Sequence, residues 1–166
     1  MKPSIRIADA TERNILDDLI QLYLKEFQCF DFKIRSSEGR LLYPYLDHYW
    51  RNPHRYPFLI SKEQQIAGFA LLRVETNPSN GVPVTEISDF FIHNSLRHQG
   101  LGKKTAVHLW DMFPGNWRLE VHKENREGLC FWEQTIGQYT EYRFKRTNTA
   151  KSSTVEFLFQ NTIHPP

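Results

Sequence analysis

Residues 89–104 read DFFIHNSLRHQGLGKK, an apolar run passing into a turn with Gly100 and Gly102 on either side of Leu101. The turn carries Arg97, His98, Lys103 and Lys104, and His93 lies just upstream. Such a turn is suited to holding an anion. A helix start exposes up to four unpaired N–H groups and the positive end of the macrodipole, and glycines let an anion's oxygens reach those amides. Cations at the rim add charge, so the pattern suits a diphosphate. It lacks the Gly-Lys-Ser/Thr ending of a nucleotide triphosphatase loop and the third glycine and first-strand position of a dinucleotide fold. The structural alternative is a tight turn that only starts a helix.

Three nearby side chains have chemistry suited to moving protons. Glu86 and Asp89 lie on the run before the turn. Strand alternation puts them on opposite faces unless a bulge resets it, so at most one is expected to face a pocket squarely. Each has a structural alternative: Glu86 as a strand acid paired with a neighbouring Lys or Arg, Asp89 as an acceptor for backbone donors at a bulge. His122, late in the chain, has an unperturbed pKa suited to proton transfer. His93, His98 and His122 have no Asp, Glu or His partner at metal-ligand spacing, so no metal site is expected.

The elements that must position these groups follow from periodicity. SIRIAD alternates as a half-buried strand, then TERNILDDLIQLYLKEF takes helical spacing, with Thr11 as N-cap and Ile15, Leu19, Leu22 and Phe27 as its apolar stripe. LLYPYLDHYWR suggests a short second helix that Pro44 restricts. YPFLISK and QIAGFALLRVE read as a hairpin, and VTEISDFFIH follows the turn-rich TNPSNGVP as a third antiparallel strand. Residues 101 to about 113 are helical up to Pro114 and Gly115, NWRLEVHK is a strand, and a helix runs from residue 125 to about 136. YTEYRFKR and STVEFLFQ alternate as two final strands. The order is strand, two helices, three strands, helix, strand, helix, two strands.

Composition bounds the rest. A chain of 166 residues without a Pro/Gly/Ser-rich linker reads as one domain over residues 1–166. Its 40% hydrophobic and 14% aromatic content is too apolar for disorder. A formal charge of +2 and no basic helix disfavour a nucleic-acid partner. No stretch approaches the ~20 apolar residues of a membrane span, and the start has no signal-peptide core, so a cytoplasmic protein without a membrane partner is expected. Cys29 and Cys130 lie apart and are expected as buried thiols rather than a disulfide.

RHQGLG, residues 97–102, resembles the Arg/Gln-x-x-Gly-x-Gly/Ala pyrophosphate motif of the GNAT superfamily of acyl-CoA N-acyltransferases. EISDFFIHNSLRHQGLG resembles that family's fourth strand running into its motif turn. LEVHKENREGLCFWE is similar to its fifth strand and Asn-led helix, and IAGFALLR to its third strand. The element order also agrees. The resemblance implies an α+β domain with a mixed, mostly antiparallel sheet of about seven strands and about four helices, splayed between strands four and five. It implies acetyl-CoA as co-substrate and an amine as acceptor, in a monomer or homodimer. Phe91, Ile92 and His93 would contact the acetyl and pantetheine arm. Gln99, Gly100, Leu101, Gly102, Lys103 and Lys104 would cradle the pyrophosphate, with Arg97 and His98 beside them. Asn125 would contact the arm and Phe131 lie alongside it. Glu86 occupies the place of the general base in the histone-acetylating branch, with Asp89 and His122 as the other catalytic candidates. Many relatives carry a tyrosine seven residues after the asparagine to protonate the thiolate; this chain has Trp132 there. Tyr139 or Tyr142 would substitute from the next strand, or the thiolate would leave without a protein acid. Phe30, Phe32, Tyr43, Tyr45, Tyr49 and Trp50 would line the acceptor side or belong to the core. A non-catalytic acyl-CoA-binding module is the alternative function.

Overall fold

The computed structural model describes residues 3–30, 36–148, 150 and 152–161, so Phe32 lies outside the described residues. Strand β1 (Ser4–Ile7) leads through a 3-10 turn (Ala10–Glu12) into helix α1 (Arg13–Phe27). Asp9, not Thr11, caps the turn: its side chain accepts from the Thr11 N–H, while Glu12 accepts from the Asp9 N–H at 3.0 Å. This capping box satisfies donors that would otherwise be orphaned. Arg6 donates two 2.6 Å hydrogen bonds to Glu12 and ties β1 to the helix start. The buried face of α1 is Leu16, Leu19, Ile20, Tyr23 and Leu24. Ile15 and Leu22 of the expected stripe are each 40% exposed, because Tyr23 takes an inward position that a purely aliphatic count gives to Leu22.

A small hairpin, β2 (Ser36–Ser37) with β3 (Arg40–Leu41), was not expected from the sequence, and α2 is a single turn (His48–Arg51) beyond Pro44. Then come β4 (Arg55–Lys62), β5 (Gln65–Thr76), β6 (Pro83–Ile92), α3 (Leu101–Met112), β7 (Gly115–His122), α4 (Arg126–Thr140), β8 (Phe144–Asn148) and β9 (Thr154–Asn161). The seven-stranded sheet runs β1-β4-β5-β6-β7-β9-β8, antiparallel except at β6–β7, which is parallel. With four helices among the described residues, this is the expected mixed α+β domain. Helix α4 continues to Thr140, so Tyr139 is helical and the next strand starts only at Phe144. The alternation of YTEYRFKR concealed a helix end, which Glu141 and Tyr142 make at φ 53° and 61°.

Each face of the sheet has its own core. Ile60, Leu72, Ile87, Leu119 and Phe157 pack under α3 and α4 with Trp110 and Ile136, while Leu59, Phe69, Leu71 and Phe91 pack under α1 and α2. On β6 the register slips: Ile87 stands opposite Leu72 but Asp89 opposite Leu71, leaving Ser88 as the extra residue of a bulge. Glu86 pairs with Arg73, so Glu86 and Asp89 share the α1 face rather than lying on opposite ones. Both cysteines are exposed and unpaired, where buried thiols were expected. Among the described residues no helix is long and apolar enough to cross a membrane.

Candidate active site

The parallel ladder runs from Val84 opposite Asn116 to Ile87 opposite Leu119. Beyond it β6 pairs with β5 alone and β7 with β9, so the sheet splits on the C-terminal side of Ile87. The His93 N–H donates to the Ala67 carbonyl at 2.8 Å, and a Cβ on Gly68 would sit 2.0 Å from the Phe91 oxygen. Phe91 and His93 thus turn their backbone groups to β5. By alternation the N–H and C=O of Phe90 and Ile92 point into the split. The Ile92 carbonyl there accepts from Arg97 Nε at 2.8 Å.

At the end of the split, Gly100 is the N-cap of α3 at φ 74°, a left-handed conformation that favours glycine. As a glycine, the N-cap offers the α3 amides no side-chain cap. A Cβ on Gly102 would lie 3.3 Å from the Phe131 ring, so this glycine lets α3 and α4 approach. The polar side chains of the turn are engaged. Arg97 donates to Glu26 of α1 at 2.6 Å and lies over the Phe91 ring, Gln99 accepts from Lys62 at 2.6 Å, and Lys103 donates to Gln138 of α4. Lys104 is exposed in the first turn of α3. His98 is exposed, 3.7 Å from Glu127, and His93 contacts Ser95 through Nδ1. The Phe91 ring packs toward Phe69 and Tyr23, and the Ile92 side chain belongs to the opposite core, so only backbone from this stretch faces the split. Asn125 caps α4, accepting from the Gly128 N–H at 2.9 Å, and Phe131 stacks on Phe90.

A pocket opens where β6 and β7 part. Tyr23 and Phe27 of α1, Ser88, Asp89 and Phe90 of β6, Glu120 of β7, and Asn125 and Trp132 help to line it. Asp89 accepts hydrogen bonds from the Tyr23 hydroxyl at 2.8 Å and from the Tyr43 hydroxyl on its other oxygen. Burial pushes its carboxyl above the usual range, and the bonds from Tyr43 and Tyr23 oppose that shift in part. Burial and the neighbouring Asp89 also push the Tyr23 phenol well up. Ser88 Oγ is buried in the wall with no partner at hydrogen-bonding geometry among the described residues.

Glu86 is held differently. Arg73 donates to one oxygen at 2.8 and 3.1 Å, and Arg118 donates to the other through Nε at 2.9 Å and through Nη2. Its side chain is 12% exposed. His122 accepts from the Glu124 N–H at 3.4 Å and stacks against Phe30. Tyr139 donates to Asp111 and packs on Trp110, and Tyr142 is 73% exposed, so neither lines the pocket as a substitute acid. The sequence reading gave Tyr23 no role. Its hydroxyl meets Asp89 from 66 positions away, and only its placement between apolar residues on the inward face of α1 hinted at it.

The profile of the Acetyltransferase (GNAT) family matches residues 16–137. No curated protein matches in sequence. Among solved structures, an acetyltransferase from Thermus thermophilus is 13% identical over 97% of this chain and 98% of its own, with a TM-score of 0.72. PaiA N-acetyltransferase from Thermoplasma acidophilum, in complex with coenzyme A, is 15% identical over 97% of this chain and all of its own (100%), with a TM-score of 0.65. An aminoglycoside acetyltransferase from an uncultured soil metagenomic sample, in complex with trehalose, is 22% identical over 90% and 97%, with a TM-score of 0.59. At these identities the structures share the fold. With the family profile spanning the split, the glycine turn and most of both flanking helices, the chain belongs to the acetyltransferase (GNAT) family.

Proposed function

We propose that the protein is an acetyl-CoA-dependent N-acetyltransferase that passes acetyl to a primary amine of a small molecule or peptide by direct attack in a ternary complex. The observation that carries this reading is the pocket at the β6–β7 split, whose wall holds Phe90 and Asp89, on the strand that runs on into the glycine start of α3. These residues fit the co-substrate. The edge groups suit an amide-bearing arm, the α3 start suits a diphosphate, and Lys103 and Lys104 stand at its rim. Asn125 and Phe131 would flank the arm. Bound acetyl-CoA supplies an activated acyl thioester; the protein must orient the amine and take its proton.

Asp89 is the better placed of the two β6 acids for that proton. Its carboxyl faces the pocket and is more basic than an ordinary aspartate, whereas both oxygens of Glu86 are occupied by guanidinium groups. General base catalysis of this kind contributes about 10²–10⁴-fold. His122 remains outside the pocket lining. A binding module without activity is the second reading, favoured by Trp132, an indole without a transferable acidic O–H on the pocket wall. A thiol-release screen with acetyl-CoA against varied amines, beside thermal shift with CoA, separates the two. Thiol release matched by N-acetyl product supports the enzyme. Saturable CoA binding without release from any amine supports the module, and no CoA binding refutes both.

A further inference from the structure

We propose that Tyr23 is a catalytic residue whose phenol relays the acceptor's proton to Asp89 and returns it to the departing thiolate. This rests on the acetyltransferase reading above. Tyr23 and Asp89 both line the pocket, whereas Tyr43 and Tyr49 are not among its lining residues. The Tyr23 hydroxyl spends its proton on Asp89 Oδ1 at 2.8 Å, which leaves the oxygen's lone pairs for a group in the pocket. Tyr43 holds Oδ2, so Oδ1 is the carboxylate oxygen that Tyr23 joins to the pocket wall. Ser88 is the other hydroxyl on the lining, and its Oγ bonds to no carboxylate that would take a proton from it.

The proton count closes. As the amine nitrogen bonds to the thioester carbon, its surplus proton passes to Tyr23 Oη while the phenol's own proton moves to Asp89 Oδ1. The C–S bond then breaks with its electron pair on sulfur. Tyr23 gives a proton to that thiolate and recovers one from Asp89, leaving an amide, a thiol, a neutral phenol and a carboxylate. The groups facing Asp89 are Tyr23 from α1, Tyr43 from the segment before α2, Tyr49 from α2, Glu86 on its own strand and Arg73 from β5, with Glu120 across the pocket. Glu86 opposes ionisation of Asp89 and Arg73 favours it.

The two phenols that touch one carboxylate should therefore separate in mutants. With an acceptor from the screen, Tyr23→Phe is expected to lower kcat about 10²-fold at pH 7. Its CoA-induced melting shift should be kept, because Phe preserves the ring contacts with Phe27, Phe69 and Phe91. Asp89→Asn is expected to lose as much, and the double variant no more than either alone, since a relay fails as a unit. Tyr43→Phe should lower kcat far less than Tyr23→Phe and move the acid limb of the pH profile upward, because it removes a bond that stabilises ionised Asp89. In the wild type, kcat/KM in H₂O/D₂O mixtures should fall along a curve, as for two protons in flight. A Tyr23→Phe enzyme within about threefold of wild type, losses that multiply in the double variant, or a straight proton inventory would overturn the relay. If Asp89→Asn is inactive while Tyr23→Phe is not, the relay alone fails. Wild-type protein that releases no thiol from any amine overturns the acetyltransferase reading itself.

Discussion

Glu86 and Asp89 share a strand and a face, yet the sheet treats them as different groups. Glu86 stands where the sheet is closed. Its register partners are Arg73 on β5 and Arg118 on β7, and it bridges both across three strands, beside the last rung before the split. Asp89 stands just beyond, where β7 has turned away, and phenols rather than guanidiniums hold it. The first carboxylate braces the junction from which the split opens; the second faces into the split. Position along a strand therefore says less about a carboxylate's task than what the neighbouring strands place opposite it.

Removing the Asp89 carboxylate should change turnover most. Asp89→Asn should cost about 10²-fold or more in turnover at pH 7 while retaining the thermal shift with CoA. Glu86→Gln should do the reverse. Leaving two partly buried guanidiniums facing a neutral amide should cost stability, on the order of 1–3 kcal/mol by denaturant unfolding, with kcat within severalfold of wild type. Loss of turnover in a folded Glu86→Gln protein would reverse the assignment.

A smaller effect tests whether the donor end is separable from the acid end. Gly100→Val forces a branched residue to φ 74°, where a Cβ meets no atom within 4 Å, so its cost is conformational, about 1–2 kcal/mol. It should abolish the CoA-induced melting shift while the protein remains folded. An unchanged CoA affinity would show that the α3 start does not hold the diphosphate.

The smallest effect contrasts two carboxyls by the sign of their pH dependence. Glu12, bonded by Arg6 and by the Asp9 N–H, is held at about 2 against a reference of 4.5, so the stability it lends is present above 4.5 and is lost as pH falls through about 2. Asp89 is shifted the other way. The folded state holds its proton more tightly than the unfolded state, so its contribution falls as pH rises from 3.8 through the raised value. Melting curves between pH 2 and about 6 should lose acid sensitivity at the low end in Glu12→Gln, and the slope above pH 3.8 in Asp89→Asn. Identical curves for wild type and both variants would contradict the two shifts.

The glycine turn was legible because its pattern is local. Two glycines at fixed spacing, a preceding apolar strand and a following helical period occupy consecutive residues, and the structure places Gly100 at the start of α3. The strand order and parallel β6–β7 pair follow from the same local patterns together with the family resemblance. The surroundings of Asp89 were illegible because they are assembled from a distance. Tyr23 and Tyr43 reach Asp89 across 66 and 46 positions, and alternation alone cannot locate a bulge at Ser88 that no glycine or proline marks. The two arginines that engage Glu86 are likewise fixed by pairing with β5 and β7, not by spacing along β6. Around Tyr139 the failure was one of period: residues 139–146 alternate like a strand, but the first of them finish α4, packed on Trp110.

The most direct test of the account is the pH dependence of kcat/KM for acetyl transfer in wild type and in Asp89→Asn, with one amine acceptor throughout. The wild-type rate should rise with pH through an apparent pKa above the ordinary aspartate range, as ionised Asp89 becomes available. In Asp89→Asn that limb should vanish and the residual rate should follow the amine's own ionisation. A variant that keeps the wild-type limb and plateau would contradict it, and the proton acceptor would have to be sought elsewhere in the split.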